Sequence, residues 1–166
     1  GLSFGPVDRV YVYNSTFSNT HGTKPEHGID IEPQSQGLSR NIRIEASRMI
    51  GNKGNGLEMS ANVSGVVLAS NTLKGNHGYG VYIRATANSA SITGNLITEN
   101  DFDGIYLTSP AHDVRIASNK IIYNSTRWFV TNQKSIYTLT SSPRDLDIDP
   151  RARNISLSGN TLSPKP

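Results

Sequence analysis

Val66-Val67-Leu68-Ala69-Ser70-Asn71-Thr72-Leu73 superimposes without gaps on Ala90-Ser91-Ile92-Thr93-Gly94-Asn95-Leu96-Ile97 and on Val114-Arg115-Ile116-Ala117-Ser118-Asn119-Lys120-Ile121. The anchoring asparagines recur at 71, 95 and 119, a period of 24 residues, and one period earlier stands Ser47 within Ile42-Arg43-Ile44-Glu45-Ala46-Ser47-Arg48-Met49. A second asparagine follows five residues after each anchor, at Asn52, Asn76, Asn100 and Asn124. Gly56, Gly80 and Gly104 each open an apolar-x-apolar triplet in the same register. Internal repetition at a fixed period is the primary signal in this chain.

The flanking units fit once insertions are admitted. Upstream, Val10-Tyr11-Val12 leads to Ser15 and Phe17, and Gly28-Ile29-Asp30-Ile31-Glu32 supplies the glycine triplet. Downstream, Ile155-Ser156-Leu157 leads to Asn160 and Leu162, with Leu146-Asp147-Ile148-Asp149-Pro150 reading like Ile29-Asp30-Ile31-Glu32-Pro33. Asn119 to Asn160 is 41 residues, 17 more than one period, and all 17 fall between Asn124 and Asp145 as one long loop.

Short period-2 runs are strands too small to be stable alone. Stacking equivalent coils lets each strand pair in parallel with its copies above and below, and joins the inward apolar residues into columns. The expected fold is therefore all-β, a parallel β-helix of about six 24-residue coils with a long loop in coil five, forming a single domain over residues 1–166. Asparagine suits the bends by tolerating left-handed backbone angles and by hydrogen-bonding the next coil. Composition agrees: 35% apolar, 17% charged, with fifteen glycines, a turn-rich balance unlike a helical bundle.

The pattern resembles the right-handed parallel β-helix repeats of the pectate-lyase-like superfamily over about residues 7–163. That superfamily includes polysaccharide lyases, mannuronan epimerases and phage tailspike depolymerases. The resemblance implies a polysaccharide substrate and an extracellular, cell-surface or virion-associated setting. Some lyases of the superfamily use Ca²⁺ to neutralise a uronate; this chain has no basic residue directly after its acidic strand, a departure from that pattern.

Other classes are disfavoured by charge and hydropathy. A net charge of +3 with no Lys/Arg tract gives no phosphate track for nucleic acid. No apolar run reaches membrane-spanning length. The absence of cysteine excludes disulfides and thiolate metal sites. The first residue is Gly1 rather than Met, and Gly1–Pro6 and Ser163–Pro166 carry little apolar surface to cover open strand edges. A homo-oligomer or a larger parent chain is the expected remedy.

The register assigns faces. In each glycine triplet the flanking apolar residues point inward, so Asp30, Glu58, Tyr82, Tyr106 and Asp147 form one outward column, and Glu32, Ser60, Arg84, Thr108 and Asp149 the next. Neighbours stand about 4.8 Å apart at the backbone. Asp30 beside Glu58 is the leading acid/base pair, because two carboxylates one rung apart repel and a raised carboxyl can donate a proton. The alternatives are a solvated pair neutralised by Arg84 and Lys24, or a hard-cation site for Ca²⁺ from Asp30, Glu32 and Glu58.

Two insertions flank this sheet. Thr20-His21-Gly22-Thr23-Lys24-Pro25-Glu26-His27 brings His27 to its edge as a candidate base. The long loop carries Trp128 and Phe129, whose faces suit a sugar ring. The expected site thus has Asp30, Glu58, His27, Tyr82 and Arg84 as catalytic groups, and Glu32, Tyr106, Trp128, Phe129, Asp147 and Lys24 as substrate-binding groups, with no resident metal or other cofactor required. Glycoside hydrolysis leads. Uronate elimination or C5-epimerisation with His27 or Tyr82 as base, and a non-catalytic glycan-binding or structural module, are the rivals. His77 and His112 read as turn residues.

Overall fold

The computed structural model describes residues 1–34, 37–127 and 144–163. Its strands form three six-stranded sheets, each wholly parallel and each taking one strand from every coil. The first sheet stacks Leu2–Phe4, Ile29–Ile31, Leu57–Met59, Val81–Ile83, Ile105–Leu107 and Leu146–Ile148. The second runs from Val7–Tyr13 to Arg153–Ser158, and the third from Thr16–Ser18 to Thr161–Ser163. This is the expected right-handed parallel β-helix of about six coils. Among the described residues, no helix is long and apolar enough to cross a membrane.

The inferred register holds residue by residue. Ile44, Leu68, Ile92 and Ile116 are successive partners, as are Met49, Leu73, Ile97 and Ile121. All eight are fully buried. Each such side chain contributes roughly 1.5–3 kcal/mol of burial. The columns are less buried in the two end coils described: Val10 and Phe17 are half-buried in the first, and Leu157 and Leu162 keep 50% and 49% of their surface in the last.

Two asparagine ladders run beside this core. Asn95 Oδ1 accepts the Asn71 backbone N–H at 2.8 Å, while its Nδ2 donates to Leu68 O and Asn119 Oδ1, each at 2.9 Å. Asn52, Asn76, Asn100 and Asn124 repeat the scheme at the next corner. The left-handed residue is not the asparagine but the one before it: Ser70, Gly94 and Ser118 at the first corner, Gly75, Glu99 and Tyr123 at the second. Asparagine is there because one amide both donates and accepts, satisfying buried backbone groups that a smaller residue would strand.

The glycine column has a steric cause. A Cβ on Gly28, Gly56, Gly80 or Gly104 would meet the carbonyl oxygen of the following coil at 2.5–2.7 Å. Asp145 occupies the same position in the last coil and can carry a side chain. The chain start is also structured: Leu2–Phe4 is the first rung of the first sheet, with Ser3 beneath Asp30, and Leu2 and Phe4 pack partly buried on the core. The sequence reading placed no strand there.

Candidate functional site

The predicted outward column of the first sheet is formed. Backbone partners run Ser3, Asp30, Glu58, Tyr82, Tyr106 and Asp147 in order. Asp30, Glu58, Tyr106 and Asp147 are all buried, at 5–6% exposure, although they point away from the core. The cause is a diagonal relation. The residue before the glycine in one coil leans over the central residue of the next, as His27 does over Glu58 and Tyr79 over Tyr106.

Glu58 is fully committed. Its Oε1 accepts Arg84 Nη1 at 2.8 Å, and its Oε2 accepts Asn55 Nδ2 at 2.8 Å and His27 Nε2 at 2.9 Å. Burial alone would raise this carboxyl, but hydrogen bonds from His27 and Arg84 outweigh it and hold the group below its ordinary value. Asp30, one rung below, shows the opposite condition. Among the described residues no hydrogen bond or ion pair reaches its carboxylate, and burial, reinforced by the charges of Glu58 and Glu32 against that of Arg84, raises it to about 6. The pair therefore comprises a fixed anion and a protonatable acid.

His27 is neutral in this arrangement. Its Nδ1 accepts the Asn55 backbone N–H at 2.8 Å, so the ring proton sits on Nε2, the nitrogen facing Glu58. No lone pair remains to take a substrate proton. Tyr82 is no better a base, since burial raises its phenol. Single ligand atoms of His27, Asp30 and Glu58 lie within 4.8 Å of one another, a cluster that could collect a cation. With both Glu58 oxygens and both His27 nitrogens already engaged, these residues as arranged do not fit Ca²⁺.

The remaining candidates divide. Lys24, His27, Glu58, Tyr82 and Arg84 border one cleft of about 830 Å³, which Lys53 and His77 also line. Arg84 lies 5.7 Å from the Tyr82 ring centre. Tyr106 instead belongs to a buried aromatic cluster with Tyr79, Phe102 and Tyr82. Asp147 is held by Arg144 at 2.9 Å, three rungs above Glu58. Glu32 is exposed and acts on Asp30 through its charge. Trp128 and Phe129 lie outside the described residues.

Sequence reasoning missed three contributors. Asn55 orients both Glu58 and His27, and only the diagonal relation reveals it. His77, read as a turn residue, stands on the cleft with Nδ1 2.9 Å from Asp101 Oδ2; Thr126 Oγ1 donates to the other Asp101 oxygen at 2.8 Å. The 24-residue spacing of His77 and Asp101 was the available signal. Asp103 precedes Gly104 as His27 precedes Gly28. It is 1% exposed, its Oδ2 has no hydrogen-bond partner among the described residues, and burial raises it to about 7.

Residues 1–146 match the family described as right handed beta helix region. The chain belongs to that family. No curated protein sequence matches it. Among solved structures it is similar to the Azotobacter vinelandii mannuronan C-5 epimerase AlgE4 A-module, at 15% identity and a TM-score of 0.59. That likeness covers 82% of this chain and 45% of the other, so this β-helix spans less than half the length of that structure. At such identity the likeness is one of fold.

Proposed function

We propose that this β-helix binds a polysaccharide along its first sheet and cleaves a glycosidic bond with Asp30 and Glu58. The observation that carries the reading is the opposed state of two carboxyls on adjacent rungs, one raised and without a hydrogen-bond or ion-pair partner among the described residues, the other held ionised by Arg84, His27 and Asn55. Divergent protonation of neighbouring carboxyls is the condition for acid/base work.

In that reaction Asp30 gives its proton to the glycosidic oxygen as the C1–O bond breaks. The Glu58 carboxylate meets the positive charge developing at C1 and forms a bond to it. Asp30, now ionised, takes a proton from water, whose oxygen attacks C1 and releases Glu58. Arg84 and Tyr82 border the cleft where the chain would lie. Such a substrate suits an extracellular, cell-surface or virion-associated protein, alone or within an oligomer or longer chain.

A second reading is elimination or epimerisation of a uronate. Lys24 and Lys53 line the cleft and make no ion pair among the described residues, leaving positive charge for a carboxylate, and the likeness to an epimerase module points the same way. In this reading ionised Asp30, not His27 or Tyr82, is the base. Product analysis of polymer digests decides. New reducing ends without ultraviolet absorbance support hydrolysis, whereas an absorbing unsaturated uronate supports elimination. Unchanged chain length with altered C5 stereochemistry supports epimerisation, and unaltered polymer refutes catalysis.

A further inference from the structure

Of the large apolar side chains that stay exposed, Leu157 and Leu162 are core columns that end at the last coil. Tyr11 and Tyr13 are different. Each is 60% exposed, and they sit two apart on Val7–Tyr13, so both project outward from the second sheet. They point away from the core columns, so their exposure is not that of a column left open.

The pair is held in place rather than loose. The ring centres are 5.7 Å apart with 30° between planes. Tyr11 Oη donates to Glu45 Oε2 at 3.0 Å, and Glu45 Oε1 accepts from Arg43, the residue directly above Tyr11 in the ladder. Two aromatic faces thus adjoin a fixed carboxylate and a guanidinium, able to meet the apolar faces and the hydroxyls of consecutive sugar rings. The local charge is not balanced. Arg40 pairs with Asp8 and Arg43 with Glu45, while the exposed Arg9 makes no ion pair among the described residues and acts on Asp8 only through its charge. No residue of the second sheet lines the cleft.

We propose that Tyr11 and Tyr13, with Arg9, Arg43 and Glu45, form a second, non-catalytic platform for an acidic polysaccharide on the second sheet. It rests on the polysaccharide reading above. By holding the polymer outside the cleft, the platform raises the effective concentration of substrate at the first sheet.

The test is affinity electrophoresis of the whole chain through gels containing polygalacturonate or alginate, with hydroxyethylcellulose as the neutral control. Wild type is expected to be retarded in at least one polyuronate gel. The doubly substituted Tyr11→Ala/Tyr13→Ala variant should lose that retardation by about fivefold or more in apparent Kd, and Arg9→Gln should weaken it in the same direction. Turnover of short soluble oligosaccharides should not change, and Asp30→Asn should be retarded like wild type. A double variant retarded like wild type overturns the platform alone and leaves the cleft reading standing. Retardation only in the neutral gel overturns the acidic assignment. No retardation of wild type in any gel overturns both the platform and the polysaccharide reading.

Discussion

His27 presents Nε2 to Glu58 Oε2 at 2.9 Å while its Nδ1 accepts the Asn55 backbone N–H at 2.8 Å. The second contact decides the first, because a ring nitrogen that accepts cannot also carry a proton. The imidazole is locked as the neutral Nε2–H tautomer, and its role is to orient and hold an anion. Long-range ¹H–¹⁵N correlation at neutral pH should show a protonated Nε2 and a bare Nδ1 for this residue. A doubly protonated ring, or the opposite tautomer, would contradict the arrangement.

Glu58 and Asp30 should respond to amide substitution in different ways. Glu58→Gln leaves Arg84 and His27 facing a neutral partner. The loss is about 1–3 kcal/mol, reduced from the cost of a fully buried pair because the Arg84 side chain is 48% exposed. Asp30→Asn removes a buried carboxyl that has no hydrogen-bond or ion-pair partner among the described residues, so stability should hold or rise at pH 8. Cleavage, however, should fall by orders of magnitude in both variants. Denaturant midpoints together with turnover separate the two effects. Full turnover in Asp30→Asn would place the chemistry elsewhere.

Much of this was legible in the sequence. A period-24 register states which residues stack, so the sheets, the inward columns and the Asp30–Glu58 adjacency all follow from counting. What counting does not reach is the relation between neighbouring corners. Asn55 and Glu58 are three residues apart, yet their bond depends on how the chain bends at Gly56. The left-handed residue before each asparagine is equally hidden, since Ser70, Glu99 and Tyr123 carry no compositional sign of it. The first rung at Leu2–Phe4 escapes the count because Leu2 stands 27 residues (29 − 2) before its partner Ile29, off the 24-residue period.

Stability should fall as pH rises from about 4 to 7. Burial raises Asp30 to about 6 and Asp103 to about 7, both above the ordinary aspartate value expected in the unfolded chain. Between the unfolded and folded values the native state binds more protons, so its advantage is greatest at low pH and is lost as pH passes through the folded values. Paired carboxylates act in the opposite sense but lower down, as with Asp149, held at about 2 by Arg151. Urea midpoints at pH 5 and pH 8 should therefore differ by a larger margin in wild type than in Asp103→Asn. Equal pH dependence in the two proteins would exclude Asp103 as the source.

Two glycines predict opposite magnitudes for the same substitution. Gly80 sits between Tyr79 and the Val81–Ile83 strand, where an added Cβ would lie 2.5 Å from Gly104 O and 3.0 Å from Asn100 Nδ2. Those atoms belong to the next coil's backbone and to a buried ladder, so neither can move without breaking hydrogen bonds made on both sides. Gly80→Ala should cost about 3 kcal/mol, and should disturb the Tyr79–Tyr82 stack beside the cleft. Gly75 occupies a corner at φ +63° with nothing within 4 Å of the added atom. Gly75→Ala meets only left-handed backbone strain, partly offset by the lower entropy of the unfolded chain, and should cost about 0.5–1 kcal/mol. Denaturant titration of the two variants checks the contrast. Equal costs would show that the glycine column is set by backbone angle rather than by the approach of the coil above.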